Sequence, residues 1–203
     1  MLFRSKNPTE TGADYFSRLD QHDVVVQAVA DGEKRFLDVA TGFPGSMPES
    51  RVLTNSSLYQ RIMGGELLTE QSVKFGGRDV RPVLVGSSAY PLFPWLLKPY
   101  HVSTNDPLEI NFNKQLSSAR ELIECAFGVL KGRWQILQKR LDSSVAFTNH
   151  VITACCVLHN FCINAGDVWN KLDRDNDSAL PVRDQNSHGE DLRDFLKEQL
   201  WNV

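Results

Sequence analysis

The stretch V-G-S-S-A-Y-P-L-F-P-W-L-L-K-P-Y at residues 85–100 decides the fold class of this chain. It begins inside the apolar run P-V-L-V-G of residues 82–86, which is typical of a strand that is buried on both faces and covered by helices. Three prolines and Trp95 lie within residues 91–99 and predict one short helical turn between fixed loop corners. The stretch therefore indicates a fold that mixes strands with helices.

Upstream of this stretch, the pattern predicts a hairpin followed by a helix. Residues 23–31 are rich in β-branched side chains, and residues 35–41 alternate polar with apolar after a turn-like D-G-E, which favours two adjacent strands. A proline followed by an acidic residue suits a helix start at about residue 48, and two glycines stop that helix after Met63.

Downstream, the pattern predicts a loop, two long helices and a tail. Residues 103–113 are polar and predict the loop, whereas apolar side chains recur every three or four positions in residues 117–138 and predict the longest helix. Residues 145–163 predict a second apolar helix, and the acidic remainder predicts a loose tail with a weak amphipathic helix at 192–201. The whole order predicts an α/β or α+β fold with a mixed sheet flanked by helices.

Composition limits the class of protein. The chain has 203 residues, 41% of them hydrophobic, which is enough for one sizeable core, and it contains no wholly apolar run of membrane-spanning length. This absence favours an intracellular protein without a membrane partner. Its four cysteines lie in apolar segments, which favours reduced thiols over disulfides. The formal net charge of -3 gives no overall basic excess, so contact with DNA requires a local basic patch.

Four separated blocks resemble Harbinger-type transposases, the nucleases derived from them and their DDE superfamily endonuclease domain. Residues 85–100 are similar to the family block G-D-S-x-Y-P-L-x-x-W-L-x-x-P. The other blocks are F-P-G-S-M-P-E-S-R-V-L at 43–53, F-N-K-Q-L-S-S-A-R-E-L-I-E-C-A-F-G-V-L-K-G-R-W at 112–134 and I-T-A-C-C-V-L-H-N at 152–160. All four keep the order and spacing of the family.

This resemblance implies an RNase H-like nuclease core in which acidic side chains hold two divalent ions, Mg²⁺ or Mn²⁺, at a DNA phosphodiester. In such sites one metal ion activates the attacking oxygen and the other stabilises the leaving oxygen, about 4 Å apart. Because Mg²⁺ prefers hard oxygen ligands, carboxylates carry the site. The resemblance also implies a nuclear protein whose ancestral partner is DNA.

The acidic set is incomplete when it is carried over residue by residue. Glu124 keeps the acid of the long helix, Glu49 lies at the aspartate of the family's G-S-x-x-D block, and Ser87 replaces the aspartate of its G-D-S block. The family's first aspartate lies on a strand that would precede Tyr15, where the pattern shows no strand, so the first strand of the family core is expected to be missing. We therefore expect weak or absent metal binding and an inactive nuclease, because paired Mg²⁺ ions require several negative charges.

Each acidic candidate also has a structural explanation. Glu124 can pair with Arg120 one helical turn away, and Glu49 can complement the dipole at a helix start. Asp31 matches a frequently acidic family position, but Asp-Gly is a favoured hairpin dipeptide, so a turn role is preferred for it.

Two further groups of side chains remain candidates. Cys155, His159 and Cys162 have zinc-binding chemistry, but structural zinc sites draw paired ligands from two segments, so buried thiols with His159 bonded to the core are preferred. A basic run is compatible with binding to a DNA backbone and equally with a solvated helix face. It comprises Lys131, Arg133, Lys139 and Arg140.

The predicted organisation is a polar segment at residues 1–14, a partial nuclease domain at 15–165 and an acidic tail at 166–203, with no helical DNA-binding region in front. Three functions are compatible with it. The first is a transposase-derived nuclease that has lost DNA cleavage. The second is a non-catalytic adaptor that binds a protein partner. That partner is a chromatin protein or a protein that supplies DNA binding or nuclear import. The third is a truncated transposon remnant.

Overall fold

The chain forms two compact units of mixed α/β structure. The computed structural model describes residues 1–5, 14–17, 22–167, 169 and 187–201. One unit combines Met1–Val52 with Leu122–Asp177, and the other combines Leu53–Glu121 with Ser178–Val203. Five α-helices and three small sheets lie in the described residues, which confirms the predicted mixed class and is compatible with an RNase H-like fold. The domain boundaries expected near residues 15 and 165 stay predictions.

An antiparallel sheet organises the first unit. It consists of β1 (Leu2–Arg4), β2 (Asp23–Ala30) and β3 (Phe36–Pro44), in the order β1-β2-β3. The hairpin of β2 and β3 confirms the predicted pair of adjacent strands, and the first five residues of β2 are all buried.

The expectation that no strand precedes Tyr15 is wrong. β1 pairs with β2 and places Phe3 opposite Val24. Three residues are too few to display the alternation by which strands are recognised. The absence of the family's first core strand stays a prediction, and residues 6–13 of the expected polar segment lie outside the described residues.

The helix expected to end at Met63 is two helices, so its prediction as one element is wrong. They are α1 (Glu49–Thr54) and α2 (Ser57–Met63). Ser56 causes the break, because its hydroxyl donates to the Leu53 carbonyl (2.7 Å) and accepts from the Tyr59 amide (3.2 Å). That geometry is a helix N-cap and marks the start of α2.

The second unit contains two sheets of two strands each. β4 (Val73–Phe75) and β5 (Arg78–Val80) form a hairpin around two glycines with positive φ. The Gly-Gly dipeptide is the turn signal by which this hairpin could be recognised in the sequence. The other sheet pairs β6 (Leu84–Val85) with β7 (Leu96–Leu97) in parallel.

The deciding stretch departs from its prediction in two ways. β6 is shorter than the strand expected at residues 82–86, and Val85 is exposed, so burial on both faces is wrong. The helical turn expected within residues 91–99 is also wrong, because Leu96 and Leu97 form a buried strand. Its pairing begins with the Leu84 amide, which donates to the Trp95 carbonyl (2.7 Å).

α3 (Pro107–Arg133) is the longest helix and begins earlier than expected. The predicted loop at 103–113 is wrong beyond Asp106, whose carboxylate accepts the Leu108 amide (2.9 Å) and caps the helix. Proline in the first turn is also a start signal. The first N–H groups of a helix have no acceptor within the helix, so a residue without an N–H loses no hydrogen bond there. The helix ends before the predicted residue 138, and a short 3₁₀ helix (Gln135–Gln138) follows it.

α4 (Val145–Asn164) confirms the second predicted apolar helix. Ser144 caps it by accepting the Phe147 amide (3.3 Å), and its buried face, which includes Ile152 and Cys156, joins the core of the first unit. The helix is also long and apolar enough to cross a membrane, a property that helices inside soluble proteins share.

α5 (Ser187–Leu200) confirms the amphipathic helix predicted at 192–201 and begins earlier than expected. Its Leu196 is buried in the core of the second unit together with Leu92, Leu97, Phe112 and Leu116. Polar contacts add to this packing: Asp191 pairs with Arg78 (2.8 Å), and Asp194 accepts a hydrogen bond from the Tyr100 hydroxyl. Residues 168, 170–186 and 202–203 of the expected tail lie outside the described residues, and a loose tail stays a prediction.

Candidate functional site

Ser87 lies just beyond the end of a parallel strand pair in the second unit. Val85 of β6 lies opposite Leu97 of β7, and the Gly86 amide donates to the Leu97 carbonyl (2.8 Å). The chain then turns, and the Ser87 hydroxyl accepts the Ala89 amide (3.3 Å). Ser87 is 9% exposed. In α/β folds, side chains at the carboxyl ends of parallel strands form ligand sites, so this position suits a functional group, but its group here is neutral.

Lys98 leaves the same end of this small sheet, and the sequence pattern does not single it out. It directly follows β7, is only 5% exposed, and donates from its ammonium group to the Ser88 carbonyl (3.5 Å). Lysine is rarely buried to this degree. The available signal is a charged residue inside the otherwise apolar W-L-L-K-P run. The strand end that the family resemblance assigns to an acid therefore carries a buried positive charge.

Glu49 and Glu124 belong to the first unit. Glu49 is the half-buried first residue of α1, where an acidic side chain complements the helix dipole. Glu124 is exposed on α3. The helix instead buries the face that carries Ala126, Phe127 and Leu130.

Asp31 organises the turn between β2 and β3. Its carboxylate accepts the backbone amides of Glu33 and Arg35, both at 2.9 Å, and the Arg35 guanidinium at 2.8 Å. Burial alone would raise the pKa of Asp31, but these hydrogen bonds and the charge of Arg35 outweigh it and lower the pKa. The preferred turn role of Asp31 is confirmed.

His159 is fully buried on α4 and bonds to the core, as predicted. Its Nε2 lies 2.9 Å from the Lys34 carbonyl, which accepts the hydrogen bond, and its ring packs against Phe36 with centroids 5.0 Å apart. Burial is the main cause that lowers the pKa of His159. The neutral imidazole therefore ties α4 to the β2–β3 turn.

The cysteines near His159 are unpaired thiols in an apolar environment. Cys155 and Cys156 are buried, and burial raises the pKa of Cys156 to about 12. The preferred interpretation of these residues as small core side chains is supported.

The basic run does not form one solvent-facing stripe. Lys131 lies over the Phe3 ring at 4.9 Å, and Arg133 bonds the carboxylate of Asp167 at 2.5 Å. Arg140 pairs with a neighbouring acid, Asp142, at 2.7 Å, whereas Lys139 is exposed. Three of the four cations thus make contacts within the first unit.

The residues of the strand end do not fit a divalent metal ion. Ser87 offers a neutral hydroxyl and Lys98 an ammonium group, and neither supplies the negative charge that Mg²⁺ requires. Within the described parts of the chain, no group of three or more His, Cys, Asp or Glu side chains lies close enough together to hold a metal ion.

Comparison with known proteins identifies the family. A sequence profile of the DDE superfamily endonucleases matches residues 1–160. The chain belongs to this superfamily. The ALP1-like protein of Arabidopsis thaliana is 35% identical to it over 153 residues, which is 71% of this chain and 36% of the relative.

Two other relatives of this DDE superfamily chain extend the comparison. The Arabidopsis thaliana protein named antagonist of like heterochromatin protein 1 is 31% identical over 197 residues, 92% of this chain and 49% of the relative. HARBI1 of Homo sapiens, which its name describes as a candidate nuclease, is 31% identical over 169 residues, 81% of this chain and 45% of the relative. These matches confirm the resemblance to transposase-derived nucleases. The chain spans less than half the length of these relatives, and no solved structure matches it.

Proposed function

We propose that this chain keeps the fold of a transposase-derived nuclease without cleaving DNA. The observation that carries the proposal is the neutral, buried Ser87 at the end of β6, where the resemblance places a metal-binding aspartate. Glu124 and Glu49 are the proposed remnants of the ligand set. Two metal ions need several carboxylates to offset their repulsion, and loss of one member of a catalytic set costs a factor on the order of 10³ or more.

Nicking of supercoiled plasmid DNA tests this proposal. The purified chain is incubated with Mg²⁺ or Mn²⁺, with a chelator as the blank and Glu124→Gln as the matched variant. We expect both proteins to leave the plasmid at the level of the blank. Metal-dependent nicking by the wild type that Glu124→Gln abolishes would overturn the proposal, because it would require a working acidic set around Glu124.

A nuclear location and a residual contact with DNA are parts of the same proposal. They follow from the family, in which divalent metal and DNA are the usual cofactor and substrate. Lys139 and Arg140 are the exposed members of the basic run, and because Arg140 pairs with Asp142, Lys139 is the better placed to meet a phosphate. Fluorescence anisotropy with a short labelled duplex tests this contact, and Lys139→Met should weaken binding and reduce its salt dependence by about one phosphate contact.

An adaptor that binds a protein partner is the second candidate, and α4 favours it. Phe147, Val157, Leu158 and Phe161 form an apolar stripe on the solvent-facing side of this helix, with Phe161 66% exposed. Contiguous exposed apolar surface is a common feature of protein interaction sites. The name of one relative, antagonist of like heterochromatin protein 1, gives that relative a role connected with another protein.

A pull-down comparison of three variants tests the adaptor hypothesis. Immobilised wild-type chain and Phe161→Ser are incubated with nuclear extract, and Leu37→Ser, another exposed apolar residue of the first unit, is the control. We expect a protein that the wild type and Leu37→Ser retain and Phe161→Ser loses. Equal retention by all three would exclude the stripe as the binding surface.

A further inference from the structure

We propose that the solvent-facing side of α4 binds α4 of a second copy of this chain, with the two helices antiparallel and related by a two-fold axis. The proposal rests on the apolar stripe that favours the adaptor function, and it names the occupant of that stripe. It does not depend on whether the chain cleaves DNA.

The exposed face of α4 is symmetric about its middle residue. Five exposed residues follow one another at steps of three, four, four and three: Phe147, His150, Ala154, Leu158 and Phe161. Because each residue turns a helix by about 100°, these steps keep all five within an arc of about 80°. The spacing is the same in both directions from Ala154, so the face can meet an identical face that runs the opposite way.

Antiparallel pairing about Ala154 gives each of these residues a suitable neighbour in the second copy. Phe147 and Phe161 each lie seven residues from Ala154, so each would meet the other phenylalanine and form an aromatic pair. His150 and Leu158 each lie four residues away, so the imidazole would cover the leucine. Ala154 would meet itself, and its small side chain would let the helices approach closely. This is the reciprocal contact that two-fold dimers require.

Charge does not oppose the contact. The twenty residues of α4 include no Asp, Glu, Lys or Arg, so a second copy would meet no like charge on this helix. The antiparallel orientation also places the positive end of each helix dipole beside the negative end of the other. A different protein is commonly selected through complementary charges, which this helix does not offer. The uncharged, symmetric face therefore favours a second copy.

The size of the face indicates a weak dimer. The four apolar side chains of the stripe are between 45% and 66% exposed. They offer roughly 400 Å² per copy, about half of what a standard interface takes from each partner. We therefore expect a dissociation constant on the order of 10–100 μM.

Charge at Ala154 tests the two-fold axis, because this residue would meet its own copy. Wild type, Ala154→Glu, Ala154→Lys and an equimolar mixture of the two variants are measured by sedimentation equilibrium, from well below to well above the expected dissociation constant. We expect the wild type to self-associate and each variant alone to do so about tenfold or more weakly, because like charges then face each other. The mixture should recover association, since its opposite charges attract.

Val102→Glu and Val102→Lys are the matched controls. Val102 is exposed and lies outside the first unit, so these variants change the net charge equally and leave α4 unchanged. We expect both to associate like the wild type. Weakening of the same size in the Val102 variants would contradict the contact at Ala154, because net charge alone would then explain the result.

The outcomes separate this inference from the adaptor hypothesis. A wild-type chain that stays monomeric throughout would overturn the inference and leave the stripe to a different protein or to a lipid surface. Self-association that neither Ala154 variant weakens, or that the mixture does not recover, would also overturn it. The adaptor is decided separately by the pull-down with Phe161→Ser, which detects proteins other than this chain.

Two double variants test the orientation and cover the case in which charge at Ala154 disturbs the fold. His150→Glu with Leu158→Lys brings opposite charges together in an antiparallel dimer and like charges together in a parallel one. His150→Glu with Leu158→Glu brings like charges together in both. We expect the first double variant to self-associate and the second to remain monomeric over the same concentrations. Association of both, or of neither, would overturn the antiparallel contact.

Discussion

The side-chain amide of Asn160 bonds both backbone polar groups of Phe36. Its oxygen accepts the Phe36 amide and its nitrogen donates to the Phe36 carbonyl, each at 2.8 Å. β3 is an outer strand of its sheet, so Asn160 occupies the position that a neighbouring strand would take. Together with the adjacent His159, it attaches α4 to the hairpin of the first unit.

The bonds of Asn160 predict a loss of stability on truncation. Asn160→Ala leaves the half-buried backbone groups at Phe36 without these partners, and we expect the free energy of unfolding to fall by about 1–3 kcal/mol. Urea denaturation followed by circular dichroism measures the change. Asn164→Ala, at the exposed end of the same helix, is the control. Equal loss in the two variants would mean that helix propensity, rather than the contact with Phe36, explains the effect.

The sequence predicts the regular elements of this fold better than their ends. The β2–β3 hairpin and α4 are predicted because the pattern of residues within each element is enough to indicate its type. The break at Ser56 and the early start of α3 at Asp106 depend on side-chain caps, for which the sequence carries signals at single residues. β7 depends on pairing with β6, a tertiary contact that a proline-rich stretch does not reveal.

Gly42 offers a second test of the first unit. Its φ of +96° disfavours any side chain, and a Cβ added there would lie 2.7 Å from the side-chain nitrogen (Nδ2) of Asn149. We expect Gly42→Ala to lower the free energy of unfolding by roughly 1–3 kcal/mol, from backbone strain and this clash. Gly32→Ala is the matched control, because a Cβ at Gly32 meets nothing within 4 Å. A Gly42→Ala melting temperature equal to that of Gly32→Ala would contradict this geometry.

α5 is expected to stabilise the second unit through Leu196. The side chain packs with Leu92 and Phe112, and removing it leaves a cavity next to them. Leu196→Ala should therefore reduce the free energy of unfolding by about 2–5 kcal/mol. Val102→Ala removes an apolar side chain that is exposed to solvent and should change it by less than about 0.5 kcal/mol. If both variants unfold like the wild type, the packing of α5 against this core is wrong.

The candidate site shows where sequence reasoning stops. The residue type at position 87 is enough to show that the acid of the family block is absent, because a serine hydroxyl is neutral and an aspartate carboxylate is negatively charged in any conformation. The burial of Lys98 is not visible in the same way, because it follows a strand that exists only through the parallel pairing of two very short segments. The exposure of Glu124 likewise depends on which face of α3 is turned toward the core.

His159 predicts how stability depends on pH. Burial, reinforced by the charge of Arg133 and partly opposed by the bond to Lys34, lowers the pKa of this imidazole in the folded chain. In the unfolded chain a histidine titrates at about pH 6.5, so below that pH the unfolded state binds a proton that the folded state does not. The contribution is complete above about pH 6.5 and is lost as the pH falls toward the folded-state pKa, by at most about 1.4 kcal/mol per unit of pH.

Replacing the imidazole should remove this dependence. His159→Gln keeps a donor for the Lys34 carbonyl but cannot titrate, so the difference in unfolding free energy between about pH 7.5 and pH 5.5 should shrink in this variant. The comparison with His150→Gln, which removes an exposed imidazole from the same helix, separates burial from the general loss of a histidine. Urea denaturation at the two pH values measures both differences. If His159→Gln keeps the full wild-type dependence on pH while His150→Gln loses it, the buried imidazole is not the group that weakens the fold in acid.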